Sequence, residues 1–545
     1  IILKELFINQ SFSFKNFYER RIRRILPVLL FVMLASMPFA WICLSPITFI
    51  DFSKSILYSL GFASNLYFYF SGLEYGELNG FYKPFLHTWS LAVEEQYYIL
   101  FPLFFFIIFK YLKKYFFLTI FLCLVFSLLF ADYGSKNFSS LNFYILPTRI
   151  WELLFGSILA YYEIHNKSLP ANKVVSTIFQ VLGLILIGYS SLFFDNSTRH
   201  PSYYTLVPVI GVVLIIFFSK SNDIINRILS SKIFVSVGLI SYSLYLWHYP
   251  IFAFARITEL TSGSIVKKLA LIILIFLLSI FTYFFIERPF RNKKYEFKKI
   301  LLLILSFSTI LIIFNSIIIS RDGIKERLPA IFQKVTMEET HKLIKNSINE
   351  ECLGLKNGCA FNTSSQKKVF LIGDSHAASL GLNLKSEIIK KDYQFITYLH
   401  GSCGFFPGFD LVQRNNMKID NNCNDHYFNK LEKILNKEEN SIIIFGARLP
   451  AYLDNREFNP KNVTQGKETP QFYKPKNSNT SLQSSFKNVF NQLSKKNKII
   501  LIYPIPEFGD NVPRKIFNKY LKEGLVFNKN LGKEKFLTTS FKSYN

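Results

Sequence analysis

The hydrophobic residues of this 545-residue chain are concentrated before residue 320, in blocks that short polar stretches separate. Each block holds about 17–24 mostly apolar residues, the length of helix that crosses a hydrocarbon core of roughly 30 Å. A weaker block at 51–70 contains more polar residues, so we expect it to be re-entrant or to lie in the membrane interface. The other blocks predict membrane-spanning helices near residues 25–45, 88–111, 115–133, 146–163, 174–194, 203–219, 233–255, 269–287 and 298–320.

After residue 320 the sequence becomes polar and rich in Lys and Asn, and short apolar runs replace the long blocks. The runs at 368–372, 441–445 and 499–503 predict buried strands that alternate with helical segments. This alternation is typical of an α/β layer fold with a parallel sheet. We therefore predict a polytopic α-helical membrane domain over 1–320, a linker over 321–365 and an extracytoplasmic α/β domain over 366–545.

The chain is 50% hydrophobic and carries a formal net charge of +26. Because Lys and Arg are enriched in cytoplasmic loops, the basic segments 20–24 and 288–299 are both expected at the cytoplasmic face. Counting spans from the second segment predicts that residues 321–545 emerge outside. This pattern excludes a soluble enzyme, a disordered scaffold and a coiled coil. The basic excess orients helices and meets anionic lipid, so no nucleic-acid partner is expected.

The distribution of cysteines agrees with this topology. Cys43 and Cys123 lie in predicted spans, whereas the other four cysteines all follow residue 320. Four cysteines in an exported domain indicate two disulfides, and three pairings are possible. The economical pairing joins Cys352 to Cys359 and Cys403 to Cys423. Zinc is less favoured because metal sites usually show tighter Cys-x-x-Cys pairs, and we expect no metal.

Ionisable side chains near or within predicted spans are costly to bury, so they mark candidate functional positions. His87, Glu94 and Glu95 open one span at the end that the topology places outside. His87 and Glu94 are seven residues apart and share one face of a helix. An imidazole and a carboxylate on one face can act as a base and its orienting partner. The alternative is a polar belt that only anchors the helix end.

Three further groups of ionisable residues lie within spans or at their ends. Arg149 and Glu152 form either a structural ion pair or a site where the guanidinium holds an anionic donor. His248, inside a span, is either a hydrogen-bonded structural residue or a participant in the chemistry. Glu287 and Arg291 end a span on the cytoplasmic side, where Arg291 also has a simpler role as a topology determinant.

The sequence GDSH at 373–376 follows the predicted strand 368–372. A serine on this turn lies where open α/β sheets bind ligands, and its backbone N–H can stabilise an oxyanion. The same residues can also be only a turn with a helix N-cap. GDSH is similar to the first block of the SGNH hydrolases, and this resemblance implies Ser375 as the nucleophile, with Asp374 and His376 beside it and Gly401 or Gly404 as a second oxyanion donor.

Five stretches carry a family resemblance that covers roughly residues 1–320: RRIRRILP, HTWSLAVEEQYY, RIWELLFG, SYSLYLWHYPI and IERPFR. In this order they resemble the acyltransferase-3 family of integral membrane O-acyltransferases, which includes acetyltransferases of O-antigen and other cell-surface glycans. The resemblance implies transfer of an acyl group, usually acetyl from cytoplasmic acetyl-CoA, to a carbohydrate hydroxyl, with no bound cofactor. GDSH resembles the first block of the flavodoxin-like SGNH hydrolases, and SGNH domains fused to acyltransferase-3 proteins are a known architecture.

Three departures from these families lead to further expectations. The first family span carries an Arg and a His thought to be central to catalysis, and this chain begins at Ile1, just after them. The SGNH Asn block would fall near 445–448, where no Asn stands. The SGNH Asp-x-x-His pair is also missing, since the last histidine is His426. We therefore expect truncation at both ends, with an inactive second domain as the alternative.

The sequence thus favours a multi-pass enzyme of the bacterial inner membrane that acylates an envelope polysaccharide or glycolipid. Its expected partners are acyl-CoA, an envelope glycan or lipid-linked saccharide, and the lipid bilayer. As a hypothesis, His87, Glu94 and Glu95 line the acceptor side, while Arg149 and Arg291 contact the donor or structural carboxylates. The candidate catalytic residues are Ser375, Asp374, His376, His87, Glu94 and Glu95, and the candidate substrate-binding residues are Arg149, Glu152, His248, Glu287, Arg291 and Gly401.

Two other classes of protein fit part of the pattern. A transporter or flippase with a glycan-binding outer domain explains the spans and buried charges, but leaves GDSH and the motif order unexplained. A membrane-tethered esterase that removes acyl groups from a glycan explains GDSH. Deleting the gene lowers glycan acylation if the protein is a transferase and raises it if the protein is an esterase.

Overall fold

The chain divides into two compact units, Ile1–Pro329 and Ala330–Asn545. The first is helical and the second contains a sheet covered by helices, as the hydrophobic pattern predicts. The computed structural model describes residues 2–8, 10–72, 80–165, 173–195, 198–219, 224–260, 264–328, 333, 343–413, 417–453, 456–457, 467–468, 471–477 and 480–502.

Helices account for most of the described part of the first unit. A π-helical turn, Tyr283–Glu287, joins two of them. The α-helices are Ile2–Ile8, Phe14–Cys43, Pro46–Leu60, Ser64–Ser71, Thr88–Tyr111, Phe116–Asn137, Ser139–Tyr144, Ile150–His165, Lys173–Phe193, Leu206–Phe217, Ile224–Leu229, Lys232–Ile257, Ile265–Thr282, Arg288–Arg291 and Phe297–Ser320.

Every block predicted to span the membrane contains a helix, but the helices differ in length and polarity. Within the described ranges, six are long and apolar enough to cross a membrane. The block at 146–163 forms a helix of 16 residues, and the block at 203–219 forms one of 12 residues. Lys232–Ile257 has 26 residues, but tyrosines, serines and a histidine interrupt its apolar sequence. The six helices are Phe14–Cys43, Thr88–Tyr111, Lys113–Asn137, Val174–Phe193, Ile265–Arg291 and Phe297–Ser320.

The weak block at 51–70 is not one continuous helix. Pro46–Leu60 ends in a turn at which Phe62 has a positive φ of 50°, and Ser64–Ser71 follows. Several polar groups of this block are buried and bonded within the unit: the Asn65 side chain donates to the carbonyl of Tyr144 at 3.0 Å, and the Ser59 hydroxyl donates to the carbonyl of Ser55 at 2.7 Å. Burial of such groups explains the low hydropathy of the block, and its predicted re-entrant position stays a prediction.

The second unit is built on a five-stranded sheet with the strand order β1-β3-β2-β5-β9. Strands β2, β3, β5 and β9 are parallel, as predicted, and β1 is antiparallel at the edge. The strands are β1 (Cys359–Phe361), β2 (Lys368–Gly373), β3 (Gln394–Leu399), β4 (Phe409–Gln413), β5 (Ile442–Gly446), β6 (Arg456–Glu457), β7 (Lys467–Glu468), β8 (Gln471–Pro475) and β9 (Lys498–Leu501). The helices of this unit are Ser375–Lys390, Asp425–Leu435, Leu449–Leu453 and Leu482–Leu493.

The two faces of the sheet are both buried, which explains the continuous apolar runs of its central strands. On one face Leu371 packs with Ala377 and Ala378 of the helix Ser375–Lys390. On the other face Ile372 packs with Phe428 and Val489 of two further helices. The helix after β2 therefore lies on one face, and its first residue is held at the carboxyl end of the central strand.

Part of the segment predicted as a linker belongs to the second unit. Strand β1 pairs with β3, and Leu353 forms a bridge with Leu399. The described portion 343–365 is thus folded against the sheet, and the predicted linker is too long at its C-terminal end. The disulfides are Cys352–Cys359 and Cys403–Cys423, which confirms the economical pairing, while Cys43 and Cys123 are free.

Removing the Cys403–Cys423 disulfide should destabilise the second unit more than removing Cys352–Cys359. The cross-link restricts the unfolded chain, and its separation of 20 residues exceeds the separation of 7 in the other bridge. We expect the double serine variants to lose about 3 and about 2 kcal/mol of unfolding free energy, respectively. Hydrogen exchange of the β2 and β5 amides measures this loss, with Cys43→Ser as the control. A larger loss from the shorter loop contradicts the prediction.

Candidate active site

Ser375 lies on a tight turn between the central strand β2 and the helix that follows it. β2 ends at Gly373, Asp374 is the N-cap, and Ser375 is the first residue of the helix. Gly373 has a φ of +151°, and a Cβ at this position would overlap the carbonyl oxygen of Gly446 on β5. Only glycine fits this close approach, so the turn holds Ser375 at the carboxyl edge of the sheet, as the sequence predicts.

Asp374 is fully buried and organises this turn through three hydrogen bonds. Its Oδ1 accepts from the backbone N–H of His376 at 2.8 Å. Its Oδ2 accepts from the backbone N–H of Arg448 at 2.8 Å and from the Tyr452 hydroxyl at 2.6 Å. Both carboxylate oxygens are therefore occupied: Oδ1 closes the turn at the start of the helix, and Oδ2 joins the turn to the segment after β5. This geometry makes Asp374 a positioning residue for Ser375.

The hydroxyl of Ser375 is half-buried and has no hydrogen-bond partner within the described ranges. The neighbouring His376 contributes its backbone to the helix start, and its carbonyl accepts from the Ser379 hydroxyl at 2.7 Å. Among the residues that the structure describes, no imidazole is hydrogen-bonded to Ser375. The candidate nucleophile is thus positioned, but these residues do not supply its base.

The strand register places one residue on each side of Ser375. Gly373 pairs with Leu399 on β3 and with Gly446 on β5. Ser375, Gly401 and Arg448 each lie two residues after one of these paired positions, so they are at equivalent places beyond three adjacent strands. The chain runs from β2 to β3 on one side and returns to β5 on the other. The point where the strand order reverses is the usual ligand position in such sheets.

Of the two glycines predicted as oxyanion donors, the structure favours Gly401. The N–H of Gly404 donates to the buried hydroxyl of Tyr473 at 2.7 Å. Gly401 is exposed, and within the described ranges its N–H is not engaged. It therefore remains the candidate donor on the β3 side.

His400 is a buried residue of this edge that sequence reasoning passed over. It is 4% exposed, and its ring centroid lies 4.7 Å from that of Tyr427. Its backbone N–H donates to the Gly373 carbonyl at 3.1 Å. Its Nε2 is buried without a hydrogen-bond partner within the described ranges. Its position directly before the glycine motif was the available signal.

Burial lowers the pKa of His400, with Asp420 opposing and Lys356 adding to this effect. The unfolded imidazole therefore binds protons first, near its ordinary pKa of about 6.5. We expect the second unit to be fully stable above that pH and to lose stability as the pH falls through about 6.5 towards 5. Hydrogen exchange of the β2 and β3 amides across this range measures the loss. His400→Phe should flatten the profile, whereas replacing the exposed His426 by Gln should not, and equal slopes in both contradict the assignment.

The first unit contains a buried ion pair between two of its long helices. The Arg21 guanidinium bonds Glu95 Oε1 at 2.5 Å and lies over the Tyr98 ring, 3.6 Å from its centroid. Glu95 is buried, with 6% of the residue exposed. The pair brings Glu95 level with the basic segment 20–24, and the predicted position of Glu95 at the outer end of its span stays a prediction.

A second carboxylate, Glu287, lies close to this pair. It is 1% exposed, accepts from the Ser243 hydroxyl at 2.9 Å and pairs with Arg291 at 3.2 Å. Arg24 is exposed, and its charge acts on Glu287 as well as on Glu94 and Glu95. We call Arg21, Arg24, Glu94, Glu95, Glu287 and Arg291 the polar seam.

Sequence reasoning used the arginines of 20–24 as topology signals and as part of the family stretch RRIRRILP, and it assigned no site role to them, although their roles differ. Arg23 is 4% exposed and donates to the carbonyls of Phe290, Asn292 and Tyr295. It thereby ties the helix Phe14–Cys43 to the end of IERPFR. Arg21 and Arg24 are three residues apart, which puts both on one helix face. This spacing could have predicted from the sequence that the two arginines lie together.

His87 lies in an aromatic group and does not contact the carboxylates with which it was grouped. Its ring is 5.1 Å from that of Tyr245, 5.5 Å from that of His248 and 5.3 Å from that of Tyr249. Both His87 ring nitrogens are buried without a hydrogen-bond partner in the described part of the chain. His248 Nδ1 is 2.7 Å from the Tyr245 carbonyl. The structure thus joins the two histidines rather than His87 and Glu94.

Arg149 and Glu152 form the predicted i,i+3 pair, at 3.4 Å. The guanidinium lies over the neighbouring rings of Trp89 and Phe143, 4.8 and 4.9 Å from their centroids, and donates to the Phe143 carbonyl at 3.0 Å. These contacts fix Arg149 in the fold. They favour the structural interpretation of the pair, although its Nη2 has no hydrogen-bond partner in the described part of the chain.

Two domain families match the chain. A family described as an acyltransferase domain matches residues 6–288, and one described as an SGNH domain fused to AT3 domains matches residues 345–543. No solved structure matches the chain.

Similar curated proteins include two named for O-acetyl transfer. The peptidoglycan O-acetyltransferase OatA of Listeria monocytogenes is 28% identical over 306 residues, which are 54% of this chain and 49% of that protein. The O-acetyltransferase OatA of Staphylococcus aureus strain NCTC 8325 is 28% identical over 311 residues, 54% of this chain and 50% of that protein. An uncharacterized protein of Haemophilus influenzae is 36% identical over 240 residues, 41% of this chain and 94% of that protein. The chain thus spans about half the length of the two OatA relatives.

Proposed function

This chain belongs to the acyltransferase family that carries a fused SGNH domain, and on that premise we propose that it transfers an acyl group to a hydroxyl of a cell-envelope glycan. The donor in this proposal is cytoplasmic acyl-CoA, with acetyl as the first acyl group to test. The acceptor is a polysaccharide, peptidoglycan included, or a glycolipid. The observation that carries the proposal is Ser375, held at the ligand-binding edge of a parallel sheet in a chain that also contains an acyltransferase membrane unit.

In the membrane unit we assign the polar seam to the donor. The basic segment 20–24 is expected at the cytoplasmic face, and the buried Glu95 lies level with it through Arg21. Arg24 and Arg291 are the more exposed cations of the seam and are the candidate contacts for the phosphates of the donor. Glu94 is exposed beside them and is the candidate base of the seam.

We assign the paired histidines to the path of the acyl group. If the Nδ1–H of His248 donates to the Tyr245 carbonyl, its Nε2 is left as an acceptor. His248 lines a cavity whose other walls are Leu244, Tyr245, Phe252, Ile272, Ile275 and Phe276, most of them apolar. His87, with two unengaged nitrogens, is next to His248. An imidazole pair of this kind can accept and return a proton during transfer.

In the second unit Ser375 is the proposed acyl carrier that delivers to the sugar hydroxyl. Attack by its hydroxyl on an acyl carbonyl gives a serine ester, which the glycan hydroxyl then opens. Asp374 positions the turn, and the N–H groups of Gly401 and Ser375 are the backbone oxyanion donors. This assignment requires the second unit to face the envelope, with the chain in the inner membrane of a bacterium.

The test is transfer across a sealed membrane. The full chain is reconstituted in vesicles with radiolabelled acetyl-CoA inside, and muropeptides or O-polysaccharide outside. The proposal expects alkali-labile label on the outer saccharide. A transporter would move the saccharide without labelling it, and an esterase would release acetate from a pre-acetylated saccharide. Either result without labelling overturns the proposal.

A further inference from the structure

We propose that Arg448 is an oxyanion donor of the Ser375 site, so that a guanidinium stands where the SGNH pattern has an asparagine. This inference rests on the proposed function, because it concerns the acyl ester that Ser375 attacks. It adds a catalytic residue to that site.

The position of Arg448 follows from the strand register. Gly373 and Gly446 are paired on adjacent parallel strands, and Ser375 and Arg448 each follow their glycine by two residues. Neighbouring strands are about 4.8 Å apart, and the hydrogen bond from the Arg448 N–H to Asp374 Oδ2, at 2.8 Å, keeps the two segments together beyond the strands. The backbone of Arg448 is therefore fixed beside the turn that carries Ser375.

The side chain of Arg448 remains close to this turn. It is half-buried, and its positive charge acts on Tyr452, whose hydroxyl is bonded to Asp374 at 2.6 Å. Burial raises the pKa of Tyr452, and the charge of Arg448 opposes that rise. The guanidinium is thus within electrostatic reach of a group that is itself bonded to the N-cap of the Ser375 helix.

The chemistry of the site needs a donor at this place. An asparagine side chain supplies one neutral amide, whereas a guanidinium supplies several N–H groups and a full positive charge. No Asn stands at 445–448. On the opposite side of Ser375, Gly401 offers only its backbone N–H. Arg448 would therefore complete a site in which Ser375 has a donor on each side along the sheet edge.

The reaction step is as follows. Ser375 Oγ forms a bond to the carbonyl carbon of an acyl ester, the C=O π pair moves onto the oxygen, and the hydroxyl proton passes to water. The oxyanion accepts hydrogen bonds from the Arg448 guanidinium and from backbone N–H groups. When the electron pair returns, the ester C–O bond breaks, and the leaving alkoxide takes a proton from water.

The experiment measures this donor with the full chain in detergent micelles. The two assays are turnover of 4-nitrophenyl acetate and labelling of Ser375 by a fluorophosphonate probe. In both reactions negative charge develops on the oxygen that would occupy the proposed oxyanion site. We expect Arg448→Ala to lower kcat by about 10²–10³-fold with little change in KM, and to slow labelling by a similar factor. Lys390→Ala removes one exposed positive charge at the far end of the Ser375 helix and should change neither rate.

A second variant guards against misfolding. Arg448→Met keeps the length of the side chain and the backbone N–H that binds Asp374, but removes the charge and the donors. It should reproduce the loss of kcat with normal hydrogen exchange of β2 and β5. Wild-type kcat in folded Arg448→Met, or a change confined to KM, overturns the inference.

The Ser375→Ala variant separates this inference from the proposed function. If Ser375→Ala abolishes turnover and labelling while Arg448→Met leaves both unchanged, only the role of Arg448 is lost. If Ser375→Ala leaves turnover and labelling unchanged, the proposed nucleophile fails, and the oxyanion site fails with it.

Discussion

Replacing Ser375 by alanine should remove acyl transfer to the glycan while leaving the protein folded in the membrane. The hydroxyl is the atom that would carry the acyl group, and alanine fits the first turn of the helix without disturbing Asp374, whose bonds go to backbone N–H groups and Tyr452. Loss of a serine nucleophile costs on the order of 10³–10⁶ in rate. The measurement is label on the outer saccharide in the vesicle assay.

A serine on the same helix provides the matched control. Ser379 is exposed, and its hydroxyl donates to the carbonyl of His376, so Ser379→Ala should transfer at the wild-type rate. Retention of donor thioester hydrolysis in Ser375→Ala would assign the first step to the membrane unit. Wild-type transfer by Ser375→Ala would show that the second unit does not carry the acyl group.

The second large effect should come from breaking the Arg21–Glu95 pair. Both side chains are mostly buried, with 19% and 8% exposed, so removal of one partner leaves an uncompensated charge inside the first unit. Such losses typically cost about 3–5 kcal/mol. We expect Arg21→Ala and Glu95→Ala each to lower the thermal stability of the membrane unit and to reduce acyl transfer by at least tenfold.

The neighbouring pair Arg20–Glu5 is the control, because it has the same chemistry with 37% and 21% of its side chains exposed. Exposed pairs contribute about 0–1 kcal/mol, so Arg20→Ala should change little. The exchange Arg21→Glu with Glu95→Arg separates structure from chemistry. Recovery of stability without transfer supports a role of Glu95 in the reaction. Recovery of both means that the pair only holds the helices together.

The fold was predictable where burial is uniform along an element. The central strands β2 and β5 are buried inside the sheet, so their continuous apolar runs stand out in the sequence. Strand β9 has the same kind of apolar run, although it ends the described strand order and its Ile500 and Leu501 are 39% and 48% exposed. Strand β3 was not anticipated, because its sequence QFITYL mixes apolar with polar residues. The two-stranded pairing of β4 with β8 joins segments about 60 residues apart, and no local pattern reports such pairing.

The candidate site was predictable as a turn but not as a network. GDSH places Ser375 because strand, turn and helix are local features of the sequence. Two of the three partners of Asp374 are 74 and 78 residues away, and Glu95, the partner of Arg21, is 74 residues away in the chain. Helix periodicity grouped His87 with Glu94 by face, but two helical turns separate two such positions by about 10 Å. Contacts from other helices then decide which groups meet.

The short edge strand β1 has a consequence for the behaviour of many copies in one membrane. An open sheet edge is a template on which other chains can add strands and aggregate. Here three residues cover the edge of β3, and the bond from Cys359 to Cys352 closes the segment that leads into them. So short and constrained a strand gives a neighbouring copy little backbone to extend at this edge.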